Sequence, residues 1–386
     1  MNLLSVIKQA LKHPHFHINE NCTPAILVAP WSPKVISAGL LPNGNFEKAP
    51  SHSSLKGSVV IGKNSLPDWE IGGAVEYVKS GQKSGDLMLV IPEGFAAVRL
   101  GSDAFIRQRV SVNKGELYAL TLSAARTCAS DEKLNVTVST DSIRDSGLIS
   151  VQTIYNAKGW DSYAWAFLAE SSEIGVFIGD PGQDEDPACG SVVDAVALKV
   201  LHPPKANRGN LLKNGDFEEG PYFLPNNLDG VLIPPNQIDR NSPLPGWTIL
   251  SLKSVRYIDS PHFSVPEGRK AVELLAGKES IISQTATTVP KAYYVLTFLV
   301  GDANNTCKGS MAVEAYAGRG SLKVDYESKG LGGFKRAKLV FVALEKVTRF
   351  VFYSTFYMTR TDDLSSLCGP VIDDVRLVPL GKAKHH

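Results

Sequence analysis

Apolar and polar residues alternate with a period of two through much of this chain. Leu134-Asn135-Val136-Thr137-Val138 alternates cleanly, and so do Tyr118 to Leu122 and Val371 to Leu377. That period marks a strand with one face buried and one face wet. Phe350-Val351-Phe352-Tyr353 is instead an unbroken aromatic and β-branched run, which predicts a strand buried on both faces. Gly and Pro interrupt the pattern every ten residues or so, as turns between short strands require. No stretch of a dozen residues carries a helical period. The expected fold class is all-β, with sandwiches or jelly rolls.

The pattern repeats. Asn43-Gly44-Asn45-Phe46-Glu47 returns as Asn214-Gly215-Asp216-Phe217-Glu218, and Leu66-Pro67-Asp68-Trp69 as Leu244-Pro245-Gly246-Trp247. Pro92-Glu93-Gly94 returns as Pro266-Glu267-Gly268, and Tyr118-Ala119-Leu120-Thr121-Leu122 as Tyr294-Val295-Leu296-Thr297-Phe298. Cys189-Gly190 with Asp194 returns as Cys368-Gly369 with Asp373. The order is kept and the offset is nearly constant, so the chain is a tandem duplication with a period far too long for a solenoid. The first copy is expected over residues 39–201, a Pro- and Gly-bearing linker over 202–209, the second copy over 210–379, and a tail over 380–386. Trp69 and Trp247 recur in one context and are read as core.

Cys128 and Cys189 are as far apart as Cys307 and Cys368, at equivalent places in the two copies. One disulfide within each copy follows, and with it an oxidising, secreted setting. Cys22 is the odd one of five cysteines. Sequons at Asn21, Asn135 and Asn304 agree with secretion as N-glycosylation acceptors and add little weight. Residues 1–38 read as an atypical leader. Lys8 and Lys12 interrupt the start, and His13, His15 and His17 follow where a signal peptide has a clean apolar run.

Charge excludes some classes. Forty basic residues meet 39 acidic ones, for a net charge of +1, which supplies no field for nucleic acid or an anionic membrane. No apolar run is long enough for a membrane-spanning helix. No recurring acid–base set, nucleophile elbow or phosphate loop is present, so no enzyme is expected. The acidic run Asp184-Glu185-Asp186 reads as a solvated loop.

Two constellations remain. If the first and last strands of each copy are neighbours, Glu47 meets Asp194 and Glu218 meets Asp373. Paired carboxylates with backbone carbonyls suit a structural Ca²⁺, the one cofactor considered; the alternative is that they cap strand-end backbone groups. Trp160, Tyr163 and Trp165 crowd together in the first copy and are expected to bind sugar by stacking, with Phe334 as a weaker counterpart in the second. Even spacing puts Tyr163 and Trp165 on one face, which is either a platform or core.

These motifs resemble a plant cell-wall family, the "domain of unknown function 642". The residues that carry the resemblance are Leu41 to Glu47, Val60-Ile61-Gly62-Lys63-Asn64-Ser65-Leu66-Pro67, Gly159-Trp160-Asp161-Ser162-Tyr163-Ala164-Trp165 and Glu185-Asp186-Pro187-Ala188-Cys189-Gly190. In the second copy they are Leu244 to Trp247, Gly301-Asp302-Ala303-Asn304-Asn305 and Cys368 to Val375. The resemblance implies two tandem galactose-binding-like β-sandwich domains and secretion into the plant cell wall. It also implies binding to wall polysaccharide such as pectin or a hemicellulose. The alternative it implies is an interaction protein that modulates wall enzymes such as pectin methylesterases.

Overall fold

Alternating strands can bury their apolar faces only by pairing two sheets, and this chain does so twice. The computed structural model describes residues 35–380, apart from residues 37, 85–86, 89–90, 92, 129–131, 140–143, 153, 157–158, 183–188, 205–208, 226–227, 236–240 and 251. The His patch, Cys22, Asn21 and the acidic run at 184–186 lie outside the described residues, as does nearly all of the leader. Helix is limited, among the described residues, to two single turns at His52–Ser54 and Gly277–Glu279.

One sheet of 14 strands runs through both copies. In the first copy its order is Leu55–Lys56, Val59–Val60, Val75–Lys79, Ala96–Leu100, Val192–Leu201, Leu117–Ala125 and Trp160–Leu168. It continues in the second with Val231–Ile233, Val255–Asp259, Lys270–Glu273, Val371–Pro379, Tyr293–Gly301 and Phe334–Val342. Ala38–Leu40 adds to Val192–Leu201. The join is the parallel pairing of Tyr163 with Leu232.

Each copy closes its sandwich with a five-stranded outer sheet. The first is ordered Glu70–Gly72, Phe105–Ser111, Glu173–Gly179, Lys133–Ser139, Arg144–Ser150. The second is Thr248–Ile249, Ile281–Thr287, Val347–Ser354, Lys308–Ala317, Gly320–Lys329, the same order in equivalent strands. The strands expected around Leu134, Tyr118 and Val371 are all present. The run at 350–353 is corrected: Phe350 and Phe352 are buried, but Val351 and Tyr353 are half-exposed, because this strand lies in an outer sheet with one face turned outward.

Trp69 and Trp247 are core, 2% and 1% exposed. Each indole N–H donates to the carbonyl of the Asn that opens its copy, Asn43 at 2.9 Å and Asn214 at 2.8 Å. Both disulfides are formed within their copies, Cys128–Cys189 and Cys307–Cys368, each across 61 residues. In the chain-entropy account a loop of that size stabilises by about 4 kcal/mol. The glycine after each second cysteine is there for space. A Cβ would stand 1.8 Å from the Leu100 carbonyl oxygen at Gly190, and 1.9 Å from that of Leu274 at Gly369.

Candidate functional site

The recurring motifs meet at one corner of each sandwich. In the first copy Glu47 Oε1 accepts the backbone N–H groups of Phe95 and Ala96, at 2.6 and 2.9 Å. Asp194 accepts from Glu93 N and Ala195 N, at 3.2 and 2.6 Å. The second copy repeats this: Glu218 takes Arg269 N and Lys270 N, and Asp373 takes Glu267 N and Asp374 N. The glycine of Pro-Glu-Gly makes the docking possible. It has positive φ in both copies, and a Cβ there would stand 2.3 Å from the carboxylate oxygen of Glu47 or Glu218.

Glu47 lies within electrostatic reach of Asp194, and Glu218 of Asp373, and each carboxylate caps backbone N–H groups, the alternative set against a bound cation. Burial pushes Asp194 up to about 8, with Glu93 and Glu47 adding repulsion. Burial likewise pushes Asp373 up to about 8. Glu93 Oε2 is buried and has no hydrogen-bond partner among the described residues. Beside the second corner two neighbouring carboxylates face cations: Arg336 Nη1 lies 2.9 Å from Asp374, and both Arg336 and Arg376 approach Glu267 within 4 Å. A cavity of about 520 Å³ opens there, lined by Asp216, Glu218, Glu267, Asp374 and Arg376 among others. No three His, Cys, Asp or Glu side chains gather as a metal cluster among the described residues. A hard cation would therefore rest on two carboxylates with backbone oxygens. The first corner, with its orphan carboxylate oxygen, fits one better.

The aromatic cluster expected to bind sugar is placed otherwise. Tyr163 is 1% exposed, and its hydroxyl accepts from Gln152 N. Trp165 packs into the same core, against Phe167 and over Gly147, where a Cβ would stand 2.3 Å from Nε1. Trp160 is 9% exposed, on the opposite face, in a small cluster with Ala125 and Val192. Tyr163 and Trp165 do share a face, but that face turns toward the sandwich interior: Tyr163 is buried and Trp165 half-buried against the same core, and Trp160 is buried on the other face. Phe334, paired with Gly301 as Trp160 is with Ala125, is exposed on a sheet edge.

Two stacked aromatic pairs lie on the outer sheets, at positions that do not recur. In the second copy Tyr316 and Tyr353 stack with centroids 5.9 Å apart, 18° from parallel. Both hydroxyls donate to Glu314 Oε2, at 2.8 and 2.7 Å. Those bonds lower the Glu314 pKa, while burial and the same bonds raise that of Tyr353. An ionised carboxylate therefore stands beside a two-ring shelf. Lys323 is its cross-strand neighbour, reaching over Phe356, which is itself exposed.

In the first copy Phe105 and Phe177 stack at 5.0 Å on the equivalent sheet. They lie flat because their neighbours are glycines: a Cβ would stand 2.2 Å from the Phe105 ring at Gly72, and 2.7 Å from Phe177 at Gly179. Arg107 makes a two-pronged pair with Glu70 beside them, both contacts 2.7 Å. Asn135, one of the sequon residues, is on the adjoining strand and half-exposed; Asn304 is exposed in the loop after Tyr293–Gly301. A search by recurrence between copies misses these aromatics. The signal that finds them is an aromatic at the outward parity of an alternating strand.

The family model described as "Protein of unknown function (DUF642)" matches residues 39–199 and again 210–378. The chain belongs to the DUF642 family. It is 58% identical over 344 residues to the Arabidopsis thaliana protein DUF642 L-GALACTONO-1,4-LACTONE-RESPONSIVE GENE 2, covering 89% of this chain and 92% of that one. Its relative named for GENE 1 is 56% identical over 346 residues, covering 90% and 92%. Among solved structures, the CBM22-1-CBM22-2 tandem domain of Paenibacillus barcinonensis Xyn10C is similar at TM-score 0.30 and 11% identity, covering 90% of this chain and 99% of that one.

Proposed function

We propose that this DUF642 protein is a non-enzymatic polysaccharide-binding protein of the plant cell wall, and that it takes glycan on its outer sheets. The carrying observation is the Tyr316–Tyr353 shelf with Glu314 held at its edge. Pyranose rings present apolar C–H faces to flat π-systems, and a fixed carboxylate accepts from their hydroxyls. The two disulfides suit the oxidising setting of a secreted protein. A divalent cation such as Ca²⁺ at Glu47 and Asp194 would stiffen the first corner without taking part in binding. The test is a wall-polysaccharide array, including pectins and hemicelluloses, probed with the full chain and with Tyr316→Ala/Tyr353→Ala. The wild type is expected to bind a glycan class that the variant loses; equal binding by both would reject the site.

A second reading rests on a different surface. Tyr293 lies across from Val342, and Val295 across from both Val340 and Val378, on the outward face of the shared sheet. Tyr293, Val340, Val342 and Val378 are exposed there. An apolar patch of this kind suits protein docking, and it supports the reading of a chain that binds and modulates a wall enzyme such as a pectin methylesterase. Retention on immobilised pectin methylesterase that Val340→Lys abolishes would favour this reading; no retention would count against it.

A further inference from the structure

The two outer sheets lie on opposite faces of the shared sheet. The strand Trp160–Leu168 sends Tyr163, Trp165 and Phe167 into the first core and Ala164 into the second. The strand beside it, Val231–Ile233, sends Leu232 into the first core and Val231 and Ile233 into the second. Tyr163 and Leu232 are register partners. Successive side chains of a strand point to opposite faces. The first core, with the outer sheet that closes it, therefore covers one face of the junction, and the second covers the other. Phe105–Phe177 and Tyr316–Tyr353 each stand on the outer sheet of their own copy, so the two aromatic pairs belong to separate surfaces.

The junction is also fixed. Beyond the strand pairing, Ser254 N donates to the Tyr155 hydroxyl at 3.0 Å, and Arg256 Nη2 donates to the Tyr155 carbonyl at 2.8 Å. Leu367 N donates to the Ile154 carbonyl, and Lys199 Nζ to that of Gly220. Arg256 is held in turn by Glu273 at 3.0 Å, with both side chains buried. Two sites on a flexible tether can fold onto one polymer and gain avidity from it. Two sites held on opposite faces of a rigid sheet lack that freedom.

We propose that each copy carries its own glycan face and that one molecule bridges two separate polysaccharide strands. This rests on the glycan-binding reading and goes beyond it, from an adhesive protein to a cross-linking one. The faces differ in chemistry: a phenyl pair beside a guanidinium–carboxylate pair in the first copy, and a phenol pair around a lone carboxylate in the second. The two strands bridged therefore need not be the same polymer.

The experiment uses the full chain with two colours of particle, coated with pectin or with xylan and mixed in all combinations. The wild type is expected to bind particles and to join them into mixed-colour clusters. Phe105→Ala/Phe177→Ala and Tyr316→Ala/Tyr353→Ala should each still bind a coating and should each lose clustering at least tenfold. Outward positions are chosen so that folding survives, and an unchanged melting temperature verifies this. Wild-type binding without clustering, or clustering that persists in either variant, overturns the bridge and leaves glycan binding standing. No binding to either coating overturns both.

Discussion

The two copies differ least at the corner where their first and last strands meet and most on their outer sheets. Glu47, Pro-Glu-Gly and Asp194 are matched by Glu218, Pro-Glu-Gly and Asp373, with the same backbone N–H groups caught by the same oxygens. Even there one change stands out. Ala195 and Ala197 of the first copy are Asp374 and Arg376 in the second, so the second corner carries its own cation where the first has none at the matching position. The outer sheets keep their inward positions, Ile106 and Gln108 matching Ile282 and Gln284, and differ on the outward face, where Gly179 and Thr137 stand at the places of Tyr353 and Tyr316. Duplication preserved what folds each copy and freed what each copy shows to its surroundings.

If the corners are scaffold, damage to either should be equally severe. Trp69→Ala and Trp247→Ala should each cost about 3–5 kcal/mol, the usual range for a buried Trp, read by chemical denaturation. A cost confined to one copy would break the equivalence.

The cation separates the corners. Without metal, folding raises Asp194 and Asp373 to about 8, whereas the unfolded carboxylates ionise near 3.9. The folded state then holds the extra protons, so stability falls as pH rises from about 4 to 8 and levels off above. Ca²⁺ bound to the ionised form should offset that loss, by about 2.7 kcal/mol at a hundredfold excess over its dissociation constant. The gain should be larger at pH 8 than at pH 5. Asp194→Asn should abolish it and Asp373→Asn should leave most of it, since Arg336 and Arg376 serve the second corner. Melting temperatures with EDTA and with Ca²⁺ across this pH range measure all three.

The junction gives the smallest effect. Tyr155→Phe removes the hydroxyl that accepts Ser254 N from the second copy and should cost about 1–3 kcal/mol for the buried donor left unpaired. Because the copies share a sheet, calorimetry should show one unfolding transition that shifts as a whole. Two separate transitions would contradict the rigid junction.

Much of the scaffold was legible because backbone needs are local. Asn-Gly at each opening is fixed by space, since a Cβ would stand 2.2 Å from the Val196 carbonyl at Gly44 and 2.0 Å from that of Val375 at Gly215. Such demands repeat with the fold, so recurrence located the core Trp residues, the disulfides and the convergent carboxylates. The outward aromatic pairs were not legible by the same means. Tyr353 lies at the outward parity of an alternating strand, whereas the strand of Trp165 is apolar on both faces and its parity assigns no side. Dense aromatic content drew attention to Trp160–Trp165, and that density reflects a central strand buried on both sides. The sharing of one sheet was equally hidden, since a single parallel pairing leaves no periodic mark.

The most direct test compares Tyr353→Ala with Trp165→Ala by affinity electrophoresis in gels containing pectin or xylan, with denaturation curves run alongside. The account predicts that Tyr353→Ala loses the share of retardation that the second copy supplies, at an unchanged melting temperature. Trp165→Ala should lose stability and, while folded, keep its retardation. Full retardation in Tyr353→Ala together with its loss in a stable Trp165→Ala would contradict the assignment of the outer sheets as the glycan faces.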